Sequence, residues 1–326
     1  MSPTIQNIDV HVHLEASDLS VALRNEAFAG LTAKSKELSP KWLYDERGCQ
    51  LFDEITRLAE YYPTRTERSI LDRHAGDIAS LSNAETLLEL GSGTSDKTRL
   101  LLDALDDRGT LRDFVALDVA QTTIVEAAEK LTIDYPDVSM TAVVGDFEHH
   151  IARLPRFGRQ LIAFLGGTIG NLNPDTRAKL LSELARTMEP GDALLVGTDL
   201  VKDRARLVAA YDDAAGVTAA FNRNVLAVLN RELRGNFDLG RFAHMALFDE
   251  ENSWIEMRLR SITDQRVHLQ ALGLHVDFVA GEDIRTEIST KFRPGQIARE
   301  LTAAGLDPIR TFTDDNGDYA LTLAVR

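Results

Sequence analysis

The residues most suggestive of chemistry form a glycine-rich turn, in which Leu90 is followed by Gly91-Ser92-Gly93-Thr94-Ser95-Asp96-Lys97-Thr98. Glycine in such a turn lets backbone approach a ligand closely. Three ligands compete for it. A dinucleotide fingerprint requires G-x-G-x-x-G, and Asp96 replaces the third glycine. A phosphate loop requires G-x-x-x-x-G-K-[ST]; Lys97-Thr98 fit it, but Asp96 sets a carboxylate where glycine belongs, beside anionic phosphates. S-adenosylmethionine has no phosphate, carries a sulfonium cation and ends in an amino-acid group. Nearby acids suit it, and Lys97 can meet its carboxylate. Asp118, 27 positions after Gly91, closes the next apolar run, where a carboxylate can accept from both ribose hydroxyls. Asp146-Phe147 closes the third run and offers an acceptor to the adenine amino group and an aromatic face to its ring. Singly, each is equally well a structural turn or a strand-end acid; their order along a sheet is what favours S-adenosylmethionine.

Other chemistries fit less well. Asp9-Val10-His11-Val12-His13 resembles the His-x-His opening of metal-dependent hydrolase barrels, but His74, His149, His150, His244, His268 and His275 show no ligand spacing. Solvated strand histidines are the simpler reading, and no metal is expected. The single cysteine, Cys49, can form neither an internal disulfide nor a thiolate cluster. A net charge of −15 disfavours nucleic acid, whose nonspecific binding needs clustered Lys and Arg. A small-molecule substrate is expected instead. No apolar run has the length of a secretory signal or a membrane span, so a cytoplasmic protein without membrane contact is expected.

The elements that must position these residues follow from periodicity. Short apolar runs alternate with amphipathic stretches over residues 67–200: Thr86-Leu87-Leu88-Glu89-Leu90, Phe114-Val115-Ala116-Leu117-Asp118, Met140-Thr141-Ala142-Val143-Val144, Leu161-Ile162-Ala163-Phe164-Leu165 and Ala193-Leu194-Leu195-Val196. They read as buried parallel strands of a doubly wound α/β sheet. Asn173-Pro174-Asp175 starts a helix that Pro190-Gly191 ends. After Leu200 the pattern becomes a long helical region, 203–233, then β-rich sequence over 242–278. A helix over 294–304 and strands near 309–312 and 319–325, joined by the turn Asp315-Asn316-Gly317, suit a hairpin closing the sheet edge. A chain of 326 residues exceeds the usual single core. Two domains are expected: residues 64–201 with 291–326 forming the sheet, and residues 1–63 with 202–290 forming a mixed α+β domain.

One segment is far more specific than the glycine turn. It reads Tyr44-Asp45-Glu46-Arg47-Gly48-Cys49-Gln50-Leu51-Phe52-Asp53-Glu54-Ile55 and continues to Glu60-Tyr61-Tyr62-Pro63-Thr64-Arg65-Thr66-Glu67. With Gly170-Asn171, Gly197-Thr198-Asp199-Leu200, Ala220-Phe221-Asn222 and Asn230, Ile255-Glu256-Met257 and Glu287-Ile288-Ser289-Thr290-Lys291-Phe292, it resembles the histidine-specific, S-adenosylmethionine-dependent methyltransferases. These enzymes make trimethylhistidine (hercynine) on the route to ergothioneine. The resemblance spans nearly the whole chain; Gly167 stands where the family often has serine, and Ala59 where proline is frequent.

The resemblance implies a Rossmann-like class I methyltransferase sheet that binds S-adenosylmethionine, released as S-adenosylhomocysteine, through Gly91, Gly93, Lys97, Asp118, Asp146 and Phe147. It implies a substrate domain and a pocket between the two domains for L-histidine and its mono- and dimethylated forms. Tyr61, Asn171 and Tyr211 would hold the amino-acid head group, with Asn171 and Tyr61 nearest the reacting amine. Glu287 and Ser289 would hold the imidazole, and Tyr44, Phe52, Gly166, Thr218 and Met257 would line the pocket. A monomer is expected. Read without the family, Tyr61 and Met257 are equally core residues, Asn171 a turn residue, and Glu287 a solvated residue alternating with Arg285. A noncatalytic S-adenosylmethionine sensor, or a methyltransferase acting on another amino acid or a protein side chain, also remains open at this level.

Overall fold

The computed structural model describes residues 8–93 and 97–326 and divides into two compact units. The first takes the chain up to Glu15, Arg65–Leu200 and Phe292–Arg326; the second takes Ala16–Thr64 and Val201–Lys291.

In the first unit eight strands form one sheet. Their spatial order is Asp9–Val12, Ser139–Val144, Asp113–Asp118, Thr86–Leu90, Gln160–Phe164, Ala193–Asp199, Tyr319–Val325 and Asp307–Thr313. The first six are parallel and the last two form an antiparallel hairpin. The central strands are buried at every position, as a sheet covered on both faces requires. Successive residues feed opposite cores. Leu87, Phe114, Ala142, Leu161 and Leu195 enter one, while Leu88, Val115, Val143, Ile162 and Val196 enter the other. This is the Rossmann-like sheet with a closing hairpin that the sequence leads one to expect.

The strands build outward from Thr86–Leu90 on one side, and the chain then returns to build the other side from Gln160–Phe164. Ligands of such sheets bind beyond the carboxyl ends of the strands at this reversal. Gly91 and Gly166 lie just beyond the two strands that flank it. One edge differs from expectation: Asp9–Val12 pairs in parallel with Ser139–Val144, so residues 8–15 join the sheet unit rather than the substrate domain. Four alternating residues carry too short a period to announce which sheet they join.

The second unit holds a four-stranded sheet in the order Lys36–Glu37, Asp283–Thr290, Trp254–Ser261 and Phe242–Asp249, with a separate hairpin of Gln265–Leu269 and Leu274–Phe278. Helices Ala16–Thr32, Glu46–Thr56 and Val217–Leu233 contribute to its core. The helical region read as continuous over 203–233 is two helices, Arg204–Ala209 and Val217–Leu233. Gly216, at φ 75°, interrupts it, and the Asp213 carboxylate accepts the Val217 and Thr218 N–H groups at 3.0 and 2.7 Å. The strand Asp283–Thr290 lies beyond the expected β-rich region and contains a register shift between Arg285 and Glu287. No helix among the described residues is long and apolar enough to cross a membrane.

Candidate active site

The register shift decides where Glu287 points. Strict two-residue alternation would leave Arg285 and Glu287 on one face. Instead Arg285 pairs with Arg258 and Glu287 with Met257, consecutive residues of the neighbouring strand that face opposite ways, so Thr286 is the extra residue of a β-bulge. Arg285 bonds Glu37 on the outer face, whereas Glu287 is only 7% exposed. The bulge is held from a distance. Thr286 Oγ1 donates to Asn222 Oδ1 at 2.5 Å and lies 3.0 Å from the Met257 carbonyl. The Asn222 amide in turn bonds His244 Nδ1, and His244 Nε2 donates to the Tyr211 carbonyl, each at 2.8 Å. Burial holds the His244 imidazole below its usual range, in keeping with a neutral ring that donates at one nitrogen and accepts at the other.

Past the bulge, Glu287, Ser289 and Lys291 take alternate positions. Lys291 is fully buried and donates to the hydroxyls of Tyr211 at 2.8 Å and Ser289 at 2.9 Å, which are themselves 2.8 Å apart. Its ammonium also lies 4.5 Å from the centre of the Tyr211 ring. The Glu287 carboxylate accepts no hydrogen bond from any described residue. Burial pushes its carboxyl up to about 7, against the pull of Lys291.

An aromatic wall accompanies these groups. Tyr44 meets Phe221 and Phe52 edge-on at 5.3 and 5.5 Å, Phe52 meets Tyr61 at 6.1 Å, and Tyr61 meets Tyr211 at 6.1 Å. Burial, then the charge of Glu287, then Tyr61 and Tyr211, drives the Tyr44 phenol well above its usual range, which sets these groups within electrostatic reach of one another. Asp45 anchors the wall by capping Glu46–Thr56 through the Gly48 N–H at 2.8 Å while accepting from Asn224 at 2.6 Å and Arg231 at 2.8 Å. Thr218, in the first turn of Val217–Leu233, is buried, as is Met257. Tyr44, Phe52, Tyr61, Tyr211, Thr218, Met257, Glu287 and Ser289 all belong to the second unit, while Gly166 and Asn171 belong to the first.

In the first unit, Gly91 and Gly93 adopt φ of 69° and 51°, and a Cβ on either would meet nothing within 4 Å among the described residues. Both conformations favour glycine and both lie beside open space, as a ligand cradle requires. Thr94, Ser95 and Asp96 lie outside the described residues. Asp118 accepts the Gly93 N–H at 3.0 Å and the Ala120 N–H at 2.9 Å, one per oxygen, leaving each oxygen a further lone pair for a ribose hydroxyl. Burial raises its carboxyl against those backbone bonds. Asp146 caps Phe147–His150 through the Glu148 N–H at 2.8 Å, and Phe147 stands edge-on to Phe164 at 5.2 Å. These residues fit S-adenosylmethionine. Asn171 ends the turn Thr168–Asn171, half-buried, and its side-chain amide bonds no described residue.

Glu67 is the residue that sequence reasoning left without a role in this unit. Fully buried, it accepts both Gly166 N–H contacts, at 2.9 and 3.0 Å, and the Tyr319 hydroxyl at 2.9 Å, and it pairs with Lys97. A Cβ on Gly197 would sit 2.2 Å from its carboxylate, so the Glu67 site also requires that glycine. Lys97 was expected at the cofactor carboxylate; one of its three donors goes to Glu67, which fixes its position. Lys291 was likewise quoted but given no role, and its two-residue spacing from Ser289 and Glu287 was the available signal. His11 bonds Asp9 at 2.8 Å on the edge strand, and among the described residues no group of three or more His, Cys, Asp or Glu is arranged to hold a metal ion.

Comparison with known proteins gives a consistent placement. The family described as histidine-specific, SAM-dependent methyltransferases matches residues 23–326. Histidine N-alpha-methyltransferase of Mycolicibacterium smegmatis is 54% identical over 314 residues, covering 96% of this chain and 98% of that protein. The protein of the same name from Mycobacterium tuberculosis is 53% identical, covering 98% of this chain and 99% of its own length. Ergothioneine biosynthesis protein 1 of Schizosaccharomyces pombe is 35% identical over 67% of this chain, which spans 30% of that longer protein. The chain belongs to the histidine-specific, S-adenosylmethionine-dependent methyltransferase family.

Proposed function

We propose that this enzyme transfers methyl groups from S-adenosylmethionine to the α-amino group of L-histidine, three times in succession, giving N,N,N-trimethylhistidine for ergothioneine biosynthesis. Its relatives carry the corresponding names. The observation that carries the reading at the residue level is Glu287: a carboxylate 7% exposed, among tyrosines, with no donor from the described residues. Such a group is costly unless something donates to it, and an imidazole N–H can.

The bound cofactor would supply an electrophilic methyl on a cationic sulfur; Gly91, Gly93, Asp118, Asp146, Phe147 and Lys97 would hold it. The protein's own part is mainly placement, because direct displacement needs the amine lone pair in line with the breaking bond. Tyr61 and Asn171 would orient the head group. The hydroxyls of Tyr211 and Ser289 form one unit with Lys291, and Tyr211 would reach both the head group and the ring. Glu287 would read one ring N–H and Ser289 the other nitrogen. Incubation with labelled cofactor and a panel of free amino acids, read by mass spectrometry, tests the proposal. Mono-, di- and trimethylated histidine are expected, and label on another amino acid alone overturns it.

A further inference from the structure

Lys291 is a buried ammonium in the middle of the groups proposed to read the ring, and this inference rests on that reading. A histidine ring can enter as neutral imidazole, with one N–H and one bare nitrogen, or as imidazolium with two N–H groups. The pocket has to distinguish them. A lone carboxylate would favour the cation. Here the carboxylate has company: Lys291, just past the end of the strand, bonds Ser289 and acts on the Glu287 carboxylate, and the two charges sum to zero.

We propose that Lys291 is a positioning residue that makes the pocket select neutral imidazole, by balancing the Glu287 carboxylate and committing the Tyr211 and Ser289 hydroxyls to donate. The second half follows from proton counting. Each hydroxyl oxygen accepts an N–H from Lys291, at 2.8 and 2.9 Å, and the 2.8 Å contact between them occupies one further lone pair. Oxygens that accept from an ammonium make better donors and poorer acceptors. They suit a bare ring nitrogen, whereas a second ring N–H would find at most the one lone pair that these three contacts leave, with a buried cation behind. The opposite ring N–H then falls to Glu287.

Two further titratable groups beside this site stay uncharged. Tyr44, whose phenol burial and Glu287 drive upward, stays protonated. His244, behind Tyr211, is held neutral by burial. Lys291 also opposes the burial that raises the Glu287 carboxyl. Removing the cation raises that carboxyl further and frees the hydroxyls to accept, so the pocket then takes ring and carboxyl with one more proton between them.

The test is the affinity for L-histidine measured calorimetrically against pH, with S-adenosylhomocysteine bound so that nothing reacts. In the native enzyme, binding should be at least about tenfold weaker at about pH 6 than at about pH 8, because ring and Glu287 must both shed protons. In Lys291→Met the two affinities should agree to within about threefold, and Lys291→Arg should restore the steep dependence. Lys291→Gln, which keeps a donor without the charge, gives a second reading where the Met variant folds poorly; S-adenosylhomocysteine affinity reports folding in each. A Lys291→Met or Lys291→Gln enzyme that binds histidine more weakly but with the native pH dependence has lost only a structural contact, and overturns the proposal. Glu287→Gln separates the two ideas. If it binds histidine at about pH 8 as tightly as the native enzyme does, the reading of Glu287 itself fails; if it weakens binding at least about tenfold while the Lys291 variants keep the steep dependence, only the role of Lys291 falls.

Discussion

A carboxyl group held at about 7 inside an aromatic surround binds its proton more tightly in the folded chain than in the unfolded one. The folded value lies above the ordinary 4.5, so the folded chain holds more protons between these two pH values, and stability falls as pH rises through that window. Glu287→Gln cannot ionise. It should leave the free enzyme more stable than the native chain above pH 7, by about 3 kcal/mol, with the advantage fading as the pH falls toward 4.5. Denaturant melts at the two ends of the window check this, and an equal effect at both would mean that Glu287 is not the buried acid described. Specificity gives a second measurement. Phenylalanine or tryptophan would leave the carboxylate desolvated and unpaired, which costs a few kcal/mol. Glu287→Ala should lower kcat/KM for histidine sharply and narrow the gap to the aromatic amino acids; an unchanged ratio removes Glu287 from the site.

At the scale of elements, the bulge is what turns a residue that reads as solvated into a buried one. It depends on Thr286 bonding Asn222, which lies on a helix 64 positions earlier in the chain. Thr286→Val should cost about 1–3 kcal/mol through the Asn222 oxygen left without its donor, and should blunt histidine selectivity while sparing cofactor affinity. Activity ratios and calorimetry on the same variant would show it; unaltered selectivity would mean that the bulge holds without this bond. Local sequence could not reveal this arrangement. Arg285 and Glu287 alternate as an exposed strand should, and nothing beside them signals the extra residue. The apolar runs of the parallel strands were legible because burial on both faces leaves few polar positions. The break at Gly216 was less so, because the residues on either side keep a helical pattern and the Asp213 cap became evident only with its 2.7 Å bond to Thr218.

For the molecule as a whole, the change of period after Leu200 is the signal of a second unit, and the structure's sheet unit takes Arg65–Leu200 and Phe292–Arg326. The pairing of the edge strand Asp9–Val12 with the large sheet escaped notice because its partner lies 132 positions away, between Asp9 and Thr141. Cofactor and ring recognition are assigned to residues of different units, and that division can be checked with reciprocal variants. Gly91→Val forces a β-branched side chain into a φ of 69° beside open space, and should abolish S-adenosylmethionine binding while the circular dichroism spectrum persists. Unchanged affinity in calorimetry would mean that the turn is not the cofactor site. Glu287, Ser289, Lys291 and Met257 sit on or beside two adjacent strands, none of them in the glycine turn. Substitutions accumulating on that strand pair alone could redirect such an enzyme to a different amino acid over generations while its methyl donor stays the same, so substrate preference and donor chemistry are free to evolve as separate characters.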